Sequence, residues 1–300
     1  MAERFEVDQG EVPRKRAELL EHVRGAAAIV ADPTVPVDKE LLEAAGPSLR
    51  LVANFAVGYD NVDLEACRER GVVVTNTPDV LTNATAELAV ALMLAAARRL
   101  GEGERLVRAG RWTGWEPGEL LGRELAGSTV GIVGLGRIGL RVAELVRGFE
   151  PVLLYTARRP RAEVESRLGL ERVELPELVA RSDFVSLHVP LAPDTRHLVD
   201  QALLDRFKPG AVLVNTARGP LVDAQALAAA LRSGRLAAAG LDVFEHEPAV
   251  EPELLELENV VLLPHVGSAT AATRDAMGRL VAENVIAVLA GKSPLTPVSR

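Results

Sequence analysis

Three residues suited to anion binding and proton transfer, Arg218, Glu247 and His265, each follow an apolar run and sit inside a short polar segment. Arg218 lies in Asn215-Thr216-Ala217-Arg218-Gly219, directly after the run Ala211 to Val214. Glu247 closes Leu241-Asp242-Val243-Phe244-Glu245-His246-Glu247-Pro248, and His265 lies in Pro264-His265-Val266-Gly267-Ser268 after Val260 to Leu263. In a parallel α/β sheet, the residues just past the strand C-termini converge on one ligand crevice. A guanidinium grips a carboxylate bidentately, and an imidazole exchanges protons near neutral pH. A carboxylate beside the imidazole favours its charged form. Together these groups supply what reduction of a 2-keto acid requires.

A second constellation points to the hydride source. Gly134-Leu135-Gly136-Arg137-Ile138-Gly139 is a G-x-G-x-x-G, a weak pattern on its own in a chain with 25 glycines. Its context is specific: it follows the apolar run Thr129 to Val133 and opens a segment with Ile138, Val142, Leu145 and Val146 at helical spacing. Such a turn lets the backbone approach a pyrophosphate at a helix N-terminus. The next apolar run, Val152 to Tyr155, should end in a carboxylate if the cofactor is NAD. Thr156-Ala157-Arg158-Arg159 stands there instead. Two guanidiniums would attract a 2′-phosphate, so the reading is NADPH, with NADH possible if the arginines are only a solvated basic turn.

The Arg218, Glu247 and His265 segments closely resemble the D-isomer-specific 2-hydroxyacid dehydrogenase family, and the resemblance runs from about Ala26 to the C-terminus. It implies that Arg218 binds the substrate carboxylate and carbonyl, that His265 exchanges the proton, and that Glu247 orients His265. It also implies cofactor contacts from His188, Pro190, Thr216, Ala217, Arg218, Asp242, His265 and Gly267, in addition to Gly134 through Gly139 and Thr156 through Arg159. The loop Asn54 to Asp60 would hold the substrate carboxylate on the N–H groups of Val57 and Gly58. Pro78 to Thr82, Arg111 to Trp115 and Tyr155 to Arg159 most resemble the glyoxylate reductase/hydroxypyruvate reductase branch. In that branch a tryptophan of the partner subunit borders the substrate, which implies a homodimer with Trp115 in that role or as an interface anchor. Phosphoglycerate or D-lactate specificity with NAD is the alternative. A non-enzymatic dinucleotide-sensing protein on the same fold is a further one, disfavoured because all three reactive residues are present.

The chain must also build elements that hold these groups. Its 300 residues exceed one typical domain, so two are expected. Apolar runs alternate with helical patterns almost throughout, the mark of parallel α/β architecture. With the family's layout, the expected fold is a Rossmann dinucleotide-binding domain over residues 99–267 and a smaller, discontinuous flavodoxin-like α/β substrate-binding domain over residues 1–98 and 268–300. Strands are expected near Phe5 to Val7, Ala26 to Val30, Leu49 to Asn54 and Val72 to Thr75. A long helix should begin about Ala84, capped by Asn83 or Thr82, and a closing helix should run from about Ala271 to Leu289; the resemblance implies that this last helix returns to the first domain. Members of the resembled family usually begin with a strand and helix ahead of the Phe5 to Val7 equivalent, which are missing here, so the small domain is expected to lack its first strand. Either a misassigned start codon or a different closure of the first domain would explain that, the former being the expectation.

Net charge −8 leaves no basic excess for nucleic acid. The longest apolar stretch, Leu88 to Ala97 between Glu87 and Arg98, is too short to span a bilayer. The Met1-Ala2-Glu3-Arg4 start carries no secretory pattern, and a lone Cys67 forms no intrachain disulfide. A cytoplasmic protein is the expectation. His22, His197 and His246 show no ligand spacing, so no metal is expected.

Overall fold

The computed structural model describes residues 5–8 and 15–298. Two compact units emerge, one running to Leu81 and resuming at Ala269, the other spanning Thr82–Ser268. The divisions fall at 81 and 268, so the first lies earlier than the expected residue 98. The reason is the helix Thr82–Ala97, which buries Ala86, Ala89, Leu92, Met93 and Ala96 in the core of the second unit. It starts two residues before the expected Ala84, so Thr82 and Asn83 belong to its first turn instead of capping it.

In the first unit a parallel sheet has the order β1 (Ala28–Ala31), β2 (Leu51–Asn54), β3 (Val73–Thr75). Phe5 to Val7 is not a strand, which corrects that expectation. Among the described residues this sheet has three strands, and β2, paired on both sides, is buried at every position. Short helices Lys39–Ala45 and Leu64–Glu69 begin where Asp38 and Asp63 accept the N–H groups of Leu41 and Ala66. The helix Ala271–Leu289 returns as expected and lays Val281, Val285 and Val288 against Leu51 and Ala53. Its last carbonyls are closed by Arg50, which donates to Val288 and Leu289.

The second unit is a seven-stranded parallel sheet. Its strands are β4 (Thr129–Val133), β5 (Val152–Thr156), β6 (Leu170–Arg172), β7 (Phe184–Leu187), β8 (Ala211–Asn215), β9 (Leu236–Leu241) and β10 (Val260–Leu262). The order is β10-β9-β8-β7-β4-β5-β6, which is the doubly wound dinucleotide-binding order with one strand added. It places the topological switch between β4 and β7. Strands buried on both faces explain the unbroken apolar runs in the sequence. Each face has its own core, one around Phe207, Leu213 and Leu227, the other around Met93, Ile132 and Tyr155. Among the described residues no helix is long and apolar enough to cross a membrane.

Candidate active site

All seven strands of the second unit run parallel, so the segments after β4, β5, β7, β8, β9 and β10 leave the same edge of the sheet. The switch point makes the β4 turn the natural seat of a dinucleotide. Gly134 takes a positive φ of 96°, and a Cβ there would lie 2.7 Å from the His188 carbonyl oxygen; at Gly139 it would lie 2.1 Å from the Gly134 carbonyl oxygen. At Gly136 a Cβ would meet nothing, so the turn is closed against the protein and open outward. The helix Arg137–Val146 starts there, with Gly136 as its N-cap. These features fit a pyrophosphate. Leu135 turns its side chain into the core, so only its backbone can face a ligand.

Beside that turn, Thr156 accepts the Gly134 N–H at 3.0 Å through its carbonyl, while Arg158 and Arg159 are exposed. Two arginines that the motif did not single out hold this region. Arg161 donates to the Leu135 carbonyl at 3.1 Å, and Arg172 donates through Nε and Nη2 to the Ala157 carbonyl. Only tertiary contact reveals them, since both lie beyond the motif's span. His188 Nε2 stands 2.9 Å from Ser186 Oγ, and burial pushes the His188 imidazole down to about 4, which leaves it neutral and unsuited to proton donation. Thr216 Oγ1 is buried without a hydrogen-bond partner, the condition a bound ligand would relieve.

Arg218, Glu247 and His265 are positioned by three loops. After β8, Asn215 accepts the Ala217 N–H and donates to the Arg218 carbonyl, closing the turn that presents Arg218. Gly219 then packs so tightly on the loop after β9 that a Cβ would lie 1.9 Å from the Phe244 carbonyl. In that second loop the Phe244 N–H donates to Glu247 Oε1 at 3.0 Å, and Glu247 Oε2 lies 2.8 Å from His265 Nδ1. Burial pushes the Glu247 carboxyl up, but the bonds from His265 and Phe244 and the charges of His265 and Arg218 outweigh it, so the group is held below the usual range. The side chains of His265 and Glu247 remain 35% and 26% exposed, within reach of a small molecule.

His265 adopts φ 53°, an uncommon conformation for a residue with a side chain, and Asp242 holds it there. The Asp242 carbonyl accepts the His265 N–H, while its two carboxylate oxygens accept the N–H groups of Val266 and Gly267, each at 2.7 Å. Burial pushes the Asp242 carboxyl up against the pull of those bonds. Both oxygens being engaged by backbone, Asp242 orients the His265 loop, a role its expected cofactor contact did not include. Gly267 is buried, with its carbonyl accepting from Thr85 Oγ1.

Val57 and Gly58 belong to the first unit, where Asn76 and Asn54 donate to their carbonyls. Trp115 is 82% exposed. Pro190 is exposed, its carbonyl taken by Thr195. His246, which shows no ligand spacing in the sequence, is brought by the fold close to two carboxylates: ligand atoms of Glu245, His246 and Glu251 lie within 4.8 Å of one another. Glu245 is already engaged by Arg196 and His197.

The family model for the D-isomer specific 2-hydroxyacid dehydrogenase NAD binding domain matches residues 90–267. Glyoxylate reductases from Thermococcus onnurineus and Pyrococcus furiosus are 49% and 48% identical, in each case over 100% of this chain and 91% of theirs. The chain belongs to the D-isomer specific 2-hydroxyacid dehydrogenase family. It is an oxidoreductase chain by that membership. Among solved structures, a Thermus thermophilus protein superposes with TM-score 0.90 at 45% identity, covering 96% of this chain and 91% of that one. An NADPH-dependent glyoxylate/hydroxypyruvate reductase from Sinorhizobium meliloti, solved with NADP and malonate, superposes with TM-score 0.85 at 41% identity, covering 93% of this chain and 85% of that one.

Proposed function

We propose that this family member reduces glyoxylate to glycolate and hydroxypyruvate to D-glycerate, with NADPH as the preferred cofactor. The observation that carries the reading is the 2.8 Å contact between His265 Nδ1 and Glu247 Oε2, under the charge of Arg218, on the sheet edge that also bears the glycine turn. The named relatives support the substrate class.

Arg218 binds the keto-acid carboxylate and polarises the carbonyl as negative charge develops on its oxygen. His265, its Nδ1 toward Glu247, presents Nε2 as the proton donor to that oxygen in reduction and as the acceptor in oxidation. Glu247 stabilises the imidazolium and fixes the ring's orientation, and Asp242 holds the loop on which His265 sits. The residues suited to hold the dinucleotide are Gly134 through Gly139 at the pyrophosphate, Thr156 through Arg159 at the adenosine ribose, and His188, Pro190, Thr216 and Ala217 farther along. When bound, the nicotinamide supplies the hydride. The first unit is the substrate-binding domain, offering the Val57 and Gly58 N–H groups to the carboxylate, and the second is the dinucleotide-binding domain. A homodimer, with Trp115 reaching the partner's substrate or anchoring the interface, completes the reading. Steady-state assay of the purified protein with glyoxylate and hydroxypyruvate against NADPH tests it: turnover of both is expected, and no turnover of any short 2-keto acid would overturn it.

A further inference from the structure

The segment 195–199 is joined to both of the loops that position Arg218 and Glu247. Its backbone is stitched to the continuation of the Arg218 loop: the His197 N–H donates to the Pro220 carbonyl at 2.8 Å, the Val199 N–H to Leu221 at 2.9 Å, and the Asp223 N–H returns to Val199 at 3.0 Å. Its side chains grip the other loop. Arg196 Nη2 donates to Glu245 Oε1 at 2.7 Å, and His197 Nε2 lies 2.7 Å from the same oxygen. Glu245 stands two residues before Glu247, and only 11% of its side chain is exposed. A carboxylate so enclosed is costly without cationic or hydrogen-bonding partners.

His197 holds φ 50°, in the left-handed region. Backbone strain of that kind persists only where surrounding contacts over-determine it, and here the contacts are the Pro220 carbonyl on one side and Glu245 on the other. Between the two loops lies the Gly219 contact with Phe244, which has no room even for a methyl group. The Phe244 N–H in turn fixes Glu247 Oε1. A small separation of these loops would move Glu247, and through it the imidazole, relative to Arg218.

We propose that Arg196, His197 and Glu245 form a positioning clamp that keeps the Arg218 and Glu247 loops in register, so that they act on turnover while making no contact with substrate or cofactor. The proposal rests on the reading of Arg218, Glu247 and His265 as the reaction centre. Displacements near 1 Å can cost about a hundredfold in rate, and the clamp, being partial, should account for a fraction of that.

His197→Ala, His197→Gln and Glu245→Gln in the full chain are compared with the parent by three measurements: kcat and KM for glyoxylate, NADPH affinity by fluorescence titration, and amide hydrogen exchange over 215–221 and 244–248. His197→Ala should accelerate exchange in both segments together, lower kcat about tenfold and raise KM a few-fold, with NADPH affinity within about twofold. His197→Gln, which keeps an N–H donor, should recover most of the rate. The double variant His197→Ala with Glu245→Gln should be no worse than the poorer single, as expected for residues acting as one unit. Faster exchange without a change in kcat or KM would overturn the positioning role, and unchanged exchange would overturn the clamp itself. Loss of NADPH affinity in step with kcat would reduce the effect to general destabilisation. A His265→Ala parent that still turns over would refute the reaction centre, while the exchange measurement would decide the clamp independently.

Discussion

At the scale of single residues, the proposed reaction has His265 move the proton and Glu247 set its carrier. His265→Ala should lower keto-acid reduction by about two to four orders of magnitude, the usual worth of general acid catalysis, with NADPH affinity changed no more than a few-fold. Stopped-flow turnover beside a binding titration checks both halves. Arg218→Lys should raise the substrate KM and lower kcat, because an ammonium cannot reproduce the planar fork. Glu247 also leaves a mark on stability. Its folded-state carboxyl lies below the ordinary value, so its contribution is fully present above the unfolded carboxylate range, about pH 4.3, and is lost as pH falls through the lower folded value. Glu247→Gln should therefore flatten the acid limb of a denaturation-versus-pH series, and an unaltered limb would show that its bonds to His265 and Phe244 do not contribute.

At the scale of elements, the loops after β5 and β8 make separate demands. Beyond β5, Thr156 occupies the place of a carboxylate and two exposed arginines follow. Charge-assisted contacts to a phosphate contribute about 1.5–3 kcal/mol each; discounted for exposure, NADPH should be preferred over NADH by at least about tenfold in kcat/KM, or roughly 1.4 kcal/mol. The preference should weaken with salt, and Thr156→Asp with Arg158→Ala should invert it. Equal use of both cofactors would mean that the arginines are a solvated turn. Beyond β8, Gly219→Ala places a methyl 1.9 Å from the Phe244 carbonyl. Forced repacking of that kind costs about 1–3 kcal/mol, so chemical denaturation should show a loss of that size, and kcat should fall because both reactive loops move.

At the scale of the whole molecule, the residues between 100 and 121 expose Leu100, Val107, Trp112, Trp115 and Leu121. Large apolar side chains gathered in one stretch mark an interaction surface, and sedimentation should find a particle of twice the 32.0 kDa chain mass. Val107→Glu with Trp115→Arg should shift it toward the monomer and reduce turnover. A wild-type monomer at enzyme-assay concentration would remove the homodimer from the reading.

Much of this protein was legible before its fold, because the signals are local. Strands buried on both faces read as apolar runs, a dinucleotide turn needs glycines at fixed offsets, and residues that end parallel strands share one edge whatever the loops do. The closing helix is expected from about Ala271 to Leu289, and it lies there. The boundary at residue 98 could not be read in this way, because the Thr82–Ala97 helix carries apolar residues on two faces and only its packing partner decides which unit owns it. The same is true of Asp242, Gly219, Arg161 and the Glu245 clamp. Residue type and spacing determine which chemistry is available. Which backbone each carboxylate grips, and which loops touch without room for a methyl group, are set by contacts between segments far apart in the chain, and only the tertiary structure brings those segments together.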